Sequence, residues 1–388
     1  MTPPSRPARR PDERPPCPAP GDRLALYIHV PFCAGKCAYC GFYSVPATPE
    51  AIDRYLDRLD REAHERITPE LAARLRTVFI GGGNPTALGA AALGRLLHTL
   101  TDILGGSPIE EWTIETNPET FRRELRPLLR PLPGLRLSIG LQRLRDEEIA
   151  WLGRSATARQ GRQAIETALT ITPNVGIDLI LGVPELPSLA PELRSLVESL
   201  PIRHVSAYFL TLEPDTPYAE AVAAGSRQDP AETGPEELFG VAAVLQAAGF
   251  EQYEISNFAR AGSRCQHNLA YWHQHEYLGL GPAAVGTLAG QRRTNPPSLP
   301  DWLADVPPTF ESLDESTRQR EFLLLRLRLL QEGLDLQEWE RRFGPPAPTL
   351  IAALDREVAA GLLSQAGLRY RLTPAGLPFA NQVIARLF

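Results

Sequence analysis

Residues 24–40, LALYIHVPFCAGKCAYC, join an apolar run to three closely spaced cysteines. The run LALYIHV is rich in residues that favour strands, and its length suits a buried strand. Cys33, Cys37 and Cys40 follow it with the spacing C-x3-C-x2-C, although the whole chain of 388 residues has only five cysteines. This stretch therefore predicts a first strand whose carboxyl end carries a functional loop.

Further strand-like runs follow along the chain, and stretches with helical spacing of apolar residues separate them. Strand alternating with helix predicts parallel strands joined by helical crossovers. A closed barrel needs eight such units, so six predict an α/β fold that is either an open, partial barrel or a doubly wound sheet. Both keep their site at the carboxyl ends of the strands. The six runs are residues 24–30, 77–82, 112–117, 136–142, 174–183 and 204–212.

Three cysteines on one short loop suit an iron–sulfur cluster better than the alternatives. Structural zinc sites need four ligands, usually as two separated pairs, and no second pair with matching spacing lies nearby. Disulfides would leave one thiol over and do not suit a reducing compartment. Iron–sulfur clusters normally take four cysteines. Three cysteines would leave one iron of the cluster without a protein ligand, so that it could bind a substrate or cofactor.

At these residues the chain resembles the radical S-adenosylmethionine (SAM) superfamily. The resemblance implies that Cys33, Cys37 and Cys40 hold a [4Fe–4S] cluster and that SAM binds its fourth iron. In that superfamily the reduced cluster cleaves SAM to a 5′-deoxyadenosyl radical. The implied fold is a partial (β/α)6 barrel.

The resemblance also implies a SAM site at the ends of the other strands. The second strand ends in GGGNP, residues 81–85, where the family has a GGG-x-P segment that contacts SAM. The glycines by themselves are equally explained by a tight turn. The family usually has Thr at the position of the Asn in this segment. The residues that match the family's SAM pocket are Tyr27, Tyr39, Gly82, Gly83, Asn84, Glu115, Gln142, Arg154 and Asp178.

A finer resemblance, covering almost the whole chain after residue 22, is to the anaerobic coproporphyrinogen III oxidase family. The oxidase branch has a further cysteine two residues after the third, where this chain has Phe42. The HemW-type haem-chaperone branch has Phe there and an H-N-x-x-Y-W motif, matched here by HNLAYW at residues 267–272. The resemblance implies a haem chaperone that passes haem to an acceptor protein. The alternative is an oxygen-independent coproporphyrinogen III oxidase.

The HNLAYW region concentrates residue types that bind haem iron. His267, His273 and His275 lie in nine consecutive residues just after Cys265, and haem iron is commonly held by His, Cys or Tyr. Core aromatic residues and surface histidines would explain the pattern without the resemblance. With it, we predict that His267 binds haem iron and that His273 and His275 are solvated neighbours. Residues 282–286, PAAVG, depart from the more polar sequence of relatives.

The chain divides into four predicted segments. Residues 1–22 are dense in Pro and Arg, which predicts a disordered leader. Residues 23–230 form the partial barrel, and residues 231–313 complete it and carry the HNxxYW motif. Within the latter, residues 301–313 are predicted to be a connecting loop. Residues 314–388 form a winged-helix-like α+β domain.

The winged-helix-like domain is predicted from its alternation of helices and a hairpin. Its third helical stretch has one arginine, Arg356, against two acidic residues, which does not support reading of nucleic acid. A regulator that binds nucleic acid is therefore the weaker alternative, and protein contact or a cap over the barrel is favoured. The predicted helices are residues 315–331, 335–343, 348–360 and 374–387, with a hairpin-like stretch at residues 361–373.

The net charge of −6 and the isoelectric point near 5.8 give no electrostatic footprint for nucleic acid or an anionic membrane surface. No apolar run reaches the roughly 20 residues that a membrane-spanning helix needs, and no secretory signal is visible. We expect a cytoplasmic protein without a membrane span, which leaves peripheral contact with a membrane open.

Overall fold

The computed structural model describes residues 23–388, and the predicted disordered leader, residues 1–22, lies outside the described residues. Most of the described strands belong to one twelve-stranded sheet, whose centre is a set of seven parallel strands. These are β1 (Leu24–Val30), β2 (Leu75–Gly82), β3 (Glu111–Thr116), β4 (Leu135–Gln142), β5 (Val175–Leu181), β6 (His204–Phe209) and β7 (Glu276–Leu280).

Strands β1 to β6 coincide with the six runs predicted from the sequence. They lie side by side in chain order and run parallel, which confirms an α/β fold built on a partial barrel. Within residues 23–388, the outer side of β6 pairs with the short strand Asn257–Ala259 rather than with β7. The barrel therefore stays open.

Strand β7 is a seventh parallel strand that the sequence analysis missed. It pairs with the other side of β1, where Tyr27 lies opposite Gly279. Its sequence, EYLGL, offers only two fully apolar side chains, Leu278 and Leu280, beside a glycine. Because this apolar run is so short, periodicity does not distinguish it from a loop.

Side chains along β1 alternate between two faces, as they do in any strand. Leu24, Leu26 and Ile28 are at most 1% exposed and belong to the core shared with the covering helices. Tyr27 and His29 take the opposite face, towards the barrel interior. The helices are α1 (Pro49–Arg66), α2 (Pro69–Arg74), α3 (Gly89–Ile103), α4 (Arg126–Leu129), α5 (Asp146–Trp151), α6 (Ala158–Leu169), α7 (Ala190–Ser199), α8 (Pro217–Ala223), α9 (Glu236–Ala247), α10 (Gln266–Trp272), α11 (Leu299–Leu303), α12 (Glu315–Arg328), α13 (Leu336–Phe343), α14 (Pro348–Ala359) and α15 (Ala380–Ala385).

None of the helices among residues 23–388 combines the length and the apolar character needed to cross a bilayer.

Antiparallel strands extend the sheet beyond β7. These are β8 (Val285–Leu288), β9 (Gln291–Thr294) and β10 (Thr309–Ser312), which pair in that order. The prediction that residues 301–313 form a connecting loop is wrong, because they contain the end of α11 and the whole of β10. All four residues of β10 are exposed, so this strand has no buried face to produce an apolar pattern.

The C-terminal residues have their own core, formed by α12 to α15 and a three-stranded sheet. The sheet contains β11 (Leu334–Asp335), β12 (Leu363–Ala366) and β13 (Arg369–Leu372). The predicted helices and hairpin are present, but the last helix is shorter than residues 374–387 because the 3-10 turn Leu377–Phe379 precedes it.

A buried carboxylate ties the open edge of the barrel to the helical layer. Glu62 on α1 is 1% exposed. Its Oε2 accepts the backbone N–H of Gly281, just after β7, at 2.9 Å and the indole N–H of Trp302 at 3.2 Å. Its Oε1 accepts from Asn295 at 2.8 Å and Arg293 at 3.2 Å. One side chain therefore fixes the end of β7, the end of β9 with the residue that follows it, and helix α11.

We predict that Glu62→Ala lowers the free energy of unfolding by about 3–5 kcal/mol, because it removes the carboxylate that pairs with Arg293 and leaves the buried N–H groups of Gly281 and Trp302 without an acceptor. Glu65→Ala is the control, since Glu65 is exposed and 4.0 Å from Arg58. It should change the free energy by no more than about 1 kcal/mol. Urea unfolding of both variants measures this, and equal small effects would contradict the assignment.

Candidate cluster and cofactor site

Backbone hydrogen bonds hold the cysteine loop at its ends and in its middle. Val45 N–H donates to Pro31 O at 2.7 Å and joins the start of the loop to its end. In the middle, Ala38 donates to Leu152 O at 3.2 Å and accepts from Tyr218 N–H at 2.9 Å. The thiols extend from a backbone that the barrel has already positioned.

The three thiols are chemically suited to an iron–sulfur cluster. Cys33, Cys37 and Cys40 are half-buried and free of disulfides. Burial raises the pKa of the Cys33 and Cys40 thiols, and the neighbouring Cys37 raises both further, while Lys36 and Arg154 oppose this at Cys40. All three sulfurs belong to one loop, residues 33–40. Cluster binding would replace their protons by iron.

Among residues 23–388, no three His, Cys, Asp or Glu side chains converge as ligands of one metal ion do. A cluster of four irons is held at separate corners, so it does not require such convergence. The donor set of three sulfurs on one loop fits a cluster rather than a single ion.

Backbone and side-chain atoms of other segments lie close to the glycine run at the end of β2. Gly83 N–H donates to Val30 O at 2.8 Å, and a Cβ on Gly83 would lie 2.6 Å from Phe32 O. A Cβ on Gly82 would lie 2.5 Å from the His29 ring. Close approach to the start of the cysteine loop, and not only a tight turn, therefore explains these glycines.

Asn84 holds this turn through its side chain. Its Nδ2 donates to Thr120 Oγ1 at 2.8 Å, and its Oδ1 accepts from Thr86 Oγ1 at 2.9 Å. Its backbone N–H donates to Phe32 O at 2.7 Å. Both polar groups of the amide are thus engaged within the protein and the residue is buried, so Asn84 holds the turn in this arrangement.

Two buried carboxyl groups lie in the barrel interior. Burial and, second, the charge of Asp178 raise the pKa of Glu115 to about 8, against the opposing effect of the Gly82 N–H, which lies 3.1 Å from Glu115 Oε2. Burial also raises the pKa of Asp178, although Ser138 Oγ donates to it at 3.1 Å. A positive ligand beside these carboxyls would lower the cost of their charge, so they favour a cation.

Arg154 connects the cysteine loop to the sheet. Its Nη1 lies 3.3 Å from Tyr39 OH and 3.8 Å from Cys37 Sγ, and its Nη2 donates to Gly140 O at 3.0 Å. Gln142, two residues after Gly140, has a φ of 67°. A non-glycine residue in this region stores strain, which is common at functional sites.

The structure brings most of the predicted SAM residues together. In the barrel interior, Glu115 accepts the N–H of Gly82, and Asp178 accepts from Ser138, which lies opposite Glu115 in the sheet. Burial and the charge of Glu115 raise the pKa of Tyr27. Tyr39 and Arg154 meet beside the cysteines. The side chain of Asn84 is turned to its threonine neighbours.

His267 lies apart from this group, near the amino ends of the strands. Its Nδ1 is 2.9 Å from Thr77 Oγ1 on β2, and its Nε2 is 2.9 Å from Tyr271 OH. Burial lowers the pKa of His267 to about 3. Glu111, the first residue of β3, accepts the backbone N–H groups of Gln266 and His267 at 3.1 Å. Iron ligation by His267 stays a prediction. It would require the imidazole to give up its hydrogen bond to Thr77 or to Tyr271.

The other two histidines of the motif region differ from the prediction. His273 pairs with Glu332 at 2.8 Å. His275 is partly buried, and its Nε2 is shielded from water without a hydrogen-bond partner within the described part of the chain. The prediction that both are solvated neighbours is therefore wrong.

A cavity of about 1300 Å³ lies between the open edge of the barrel and the C-terminal helices α12 and α13. Its volume exceeds the roughly 300–1,000 Å³ typical of small-molecule sites. Ala283 and Val285, from the segment that departs from relatives, contribute to its wall. Most of the lining could not be predicted from the sequence, because no local motif marks it. Other lining residues are Tyr27, His29, Phe42, Tyr43, Tyr271, His275, Tyr277, Arg318, Leu324, Arg341 and Phe343.

The chain matches two protein families, the Radical SAM superfamily at residues 27–188 and the HemN C-terminal domain at residues 313–379. It is 30% identical to the heme chaperone HemW of Bacillus subtilis, covering 92% of this chain and 97% of that protein. For the heme chaperone HemW of Mycobacterium tuberculosis H37Rv the identity is 33%, with coverage of 95% and 96%.

Among solved structures, the chain is similar to coproporphyrinogen III oxidase (HemN) from Escherichia coli. The TM-score is 0.78 at 21% identity, and the match covers 94% of this chain and 90% of that one. At this identity the likeness shows the fold.

We predict that Gly83→Ala destabilises the protein by about 1–3 kcal/mol, because its Cβ meets backbone atoms that cannot rotate away. Iron content after anaerobic reconstitution should fall in parallel, since residues 30–32 begin the cysteine loop. Gly240→Ala is the matched control, because a Cβ there lies 3.7 Å from its nearest neighbour. Thermal unfolding and iron analysis measure both, and normal iron content in Gly83→Ala would contradict the prediction.

We predict that Glu115 makes the cofactor-free protein less stable as the pH rises. Its pKa of about 8 in the folded state exceeds the value of 4.5 for an unperturbed Glu, so the folded state holds the proton more tightly. The stabilisation is complete below pH 4.5 and is lost as the pH rises through about 8. Relative to Glu115→Gln, wild type should lose roughly 1–4 kcal/mol between pH 5 and pH 9.

Denaturant unfolding of both proteins across this pH range measures the difference. Parallel curves for wild type and Glu115→Gln would show that Glu115 does not titrate as expected.

Proposed function

The chain belongs to the HemW family of radical SAM proteins, and we propose that it is a haem chaperone that binds haem and transfers it to an acceptor protein. The proposed setting is the cytoplasm. The observation that carries the proposal is the large cavity beside the cysteine loop. Its volume and its aromatic lining suit a flat macrocycle.

In this proposal Cys33, Cys37 and Cys40 hold a [4Fe–4S] cluster. With SAM bound, such a cluster supplies one-electron chemistry in this superfamily. Lys36 and Arg154 place positive charge beside the sulfurs and favour thiolates over thiols, as their effect on Cys40 indicates. The protein residues thus lower the cost of a negatively charged cluster.

The proposed SAM site combines anionic, backbone and aromatic groups. Glu115 and Asp178 accept the positive charge of the ligand, which brings them into their ionised forms. The glycines allow the ligand to approach the backbone without a Cβ in the way. The proposed contacts come from Tyr27, Tyr39, Gly82, Gly83, Asn84, Glu115, Gln142, Arg154 and Asp178, with Asn84 restricted to holding the turn unless its side chain reorients.

We propose that His267 is required for haem binding. Because its Nε2 is hydrogen-bonded to Tyr271, and Tyr271 lines the cavity, His267 fixes one wall of the proposed haem site. Direct ligation of iron by His267 would break this bond and free the tyrosine ring. The two possibilities differ in the iron spectrum that they predict.

Haem titration of the anaerobically reconstituted protein tests the proposed function. We expect saturation at one haem per chain, followed by transfer to an apo-haem protein added in excess. The same sample, reduced and supplied with SAM and coproporphyrinogen III, should give no decarboxylated product. Turnover without stoichiometric haem binding would overturn the chaperone proposal in favour of the oxidase.

A further inference from the structure

Gln142 lies at the apex of a rare backbone turn. Its φ is 67°, and the N–H of Arg143 donates to Leu141 O at 2.9 Å. This hydrogen bond spans a single residue with positive φ, which is the strained form of the γ-turn. A strained residue persists only where the surrounding structure holds it, and such residues are common at functional sites.

The amide of Gln142 lies over Gly140. A Cβ on Gly140 would lie 2.9 Å from Gln142 Nε2 and 2.7 Å from Asn117 Oδ1, so glycine is needed to leave room for the amide. The carbonyl of Gly140 accepts from Arg154 Nη2 at 3.0 Å, and Arg154 Nη1 lies 3.8 Å from Cys37 Sγ. The amide is therefore held one residue away from the arginine that reaches the cysteine loop.

The strain at Gln142 indicates that its side chain has a function. Glycine adopts positive φ without a steric cost, so Gln142→Gly would form the same turn more easily. The turn by itself therefore does not require glutamine at this position. A hydrogen bond from the amide to a ligand does require it.

The guanidinium of Arg143 holds the end of this turn, and its side chain has no exposed surface. Its Nε donates to Glu148 Oε2 at 3.1 Å. Its Nη1 donates to Glu237 Oε1 at 3.0 Å and to Ile180 O at 3.1 Å, and its Nη2 donates to Pro187 O. Arg143 therefore joins the turn after β4 to α5, to α9, to β5 and to the loop after β5.

Glu237 on α9 is the second centre of this network. Its Oε1 also accepts the N–H of Leu189 at 3.0 Å, and its Oε2 accepts the N–H of Gly182 at 2.7 Å. Loss of one partner from an ion pair this buried is strongly destabilising, because the other charge is left uncompensated. Arg143 and Glu237 therefore fix each other, and with them the backbone on which the strained turn depends.

Resting on the proposed SAM site, we propose that Arg143 and Glu237 are positioning residues for SAM binding. They keep residue 142 in its strained turn and thereby hold the Gln142 amide in place for a hydrogen bond to SAM. Neither Arg143 nor Glu237 contacts the ligand in this proposal. Both act through Gln142.

The test measures SAM binding to the anaerobically reconstituted full chain. Glu237→Gln keeps the shape of the side chain and removes one of the two carboxylates that face Arg143, and Arg143→Lys keeps the charge but loses the planar set of donors. Each variant should weaken SAM binding roughly tenfold, about the effect of one lost hydrogen bond to a ligand. Isothermal titration calorimetry measures the affinity. The change that SAM causes in the electron paramagnetic resonance spectrum of the reduced cluster should be diminished in parallel.

A double-mutant cycle distinguishes positioning from a general loss of structure. Gln142→Ala removes the amide but keeps a Cβ at the strained position, and it should weaken SAM binding at least as much as Glu237→Gln. If Glu237 acts through Gln142, the double variant should bind SAM within about twofold of Gln142→Ala alone. Losses that multiply, to roughly a hundredfold, would show independent action and overturn the proposal.

Arg145→Ala is the matched control. Arg145 lies in the same segment, and its Nε donates to Glu192 Oε1 at 2.8 Å, but its side chain is 38% exposed. Loss of this exposed ion pair should leave SAM binding unchanged. Haem binding should match wild type in Glu237→Gln and Arg143→Lys, because neither residue lines the large cavity.

The outcomes separate this proposal from the proposed function. If wild type binds no SAM, the proposed SAM site fails and the positioning role fails with it. If wild type binds SAM and both Glu237→Gln and Arg143→Lys bind it equally well, the positioning role alone fails.

Discussion

The contact between the glycine run after β2 and the start of the cysteine loop is the constraint on which the site depends. Gly83 and Asn84 donate backbone hydrogen bonds to Val30 O and Phe32 O, and Gly82 donates to Glu115 on the next strand. These bonds join three neighbouring strands at their carboxyl ends. Since a Cβ at these glycines would collide with its surroundings, the sequence at this point is set by packing as much as by any ligand.

The two ends of the barrel carry different groups. The carboxyl ends carry the thiols and the buried carboxyls. Helix α10 covers the amino ends, and Glu111 accepts hydrogen bonds from the first two backbone N–H groups of this helix. Tyr271 connects the sealed end to the cavity, because its ring contacts both His267 and Tyr277, with ring centroids 4.9 Å and 4.8 Å away. A haem in this cavity would therefore lie within reach of both the HNLAYW helix and the cluster loop.

The sequence predicted what depends on local pattern and missed what depends on the meeting of distant segments. Strands β1 to β6 and the cysteine loop were visible because apolar runs and thiol spacing are local. β7 and β10 were missed because one is short and the other is exposed on both faces. The lining of the cavity could not be predicted, since it is formed by residues from α12, α13 and the barrel edge. The hydrogen bonds of Asn84 and His267 likewise come from residues far along the chain.

The most direct test of the account is a crystal structure of the reconstituted protein with haem, with anomalous scattering to locate iron. We expect two separate iron sites: a cluster on the sulfurs of Cys33, Cys37 and Cys40, and a single haem iron in the cavity. A haem outside the cavity, or no iron on these three sulfurs, would contradict the proposed function.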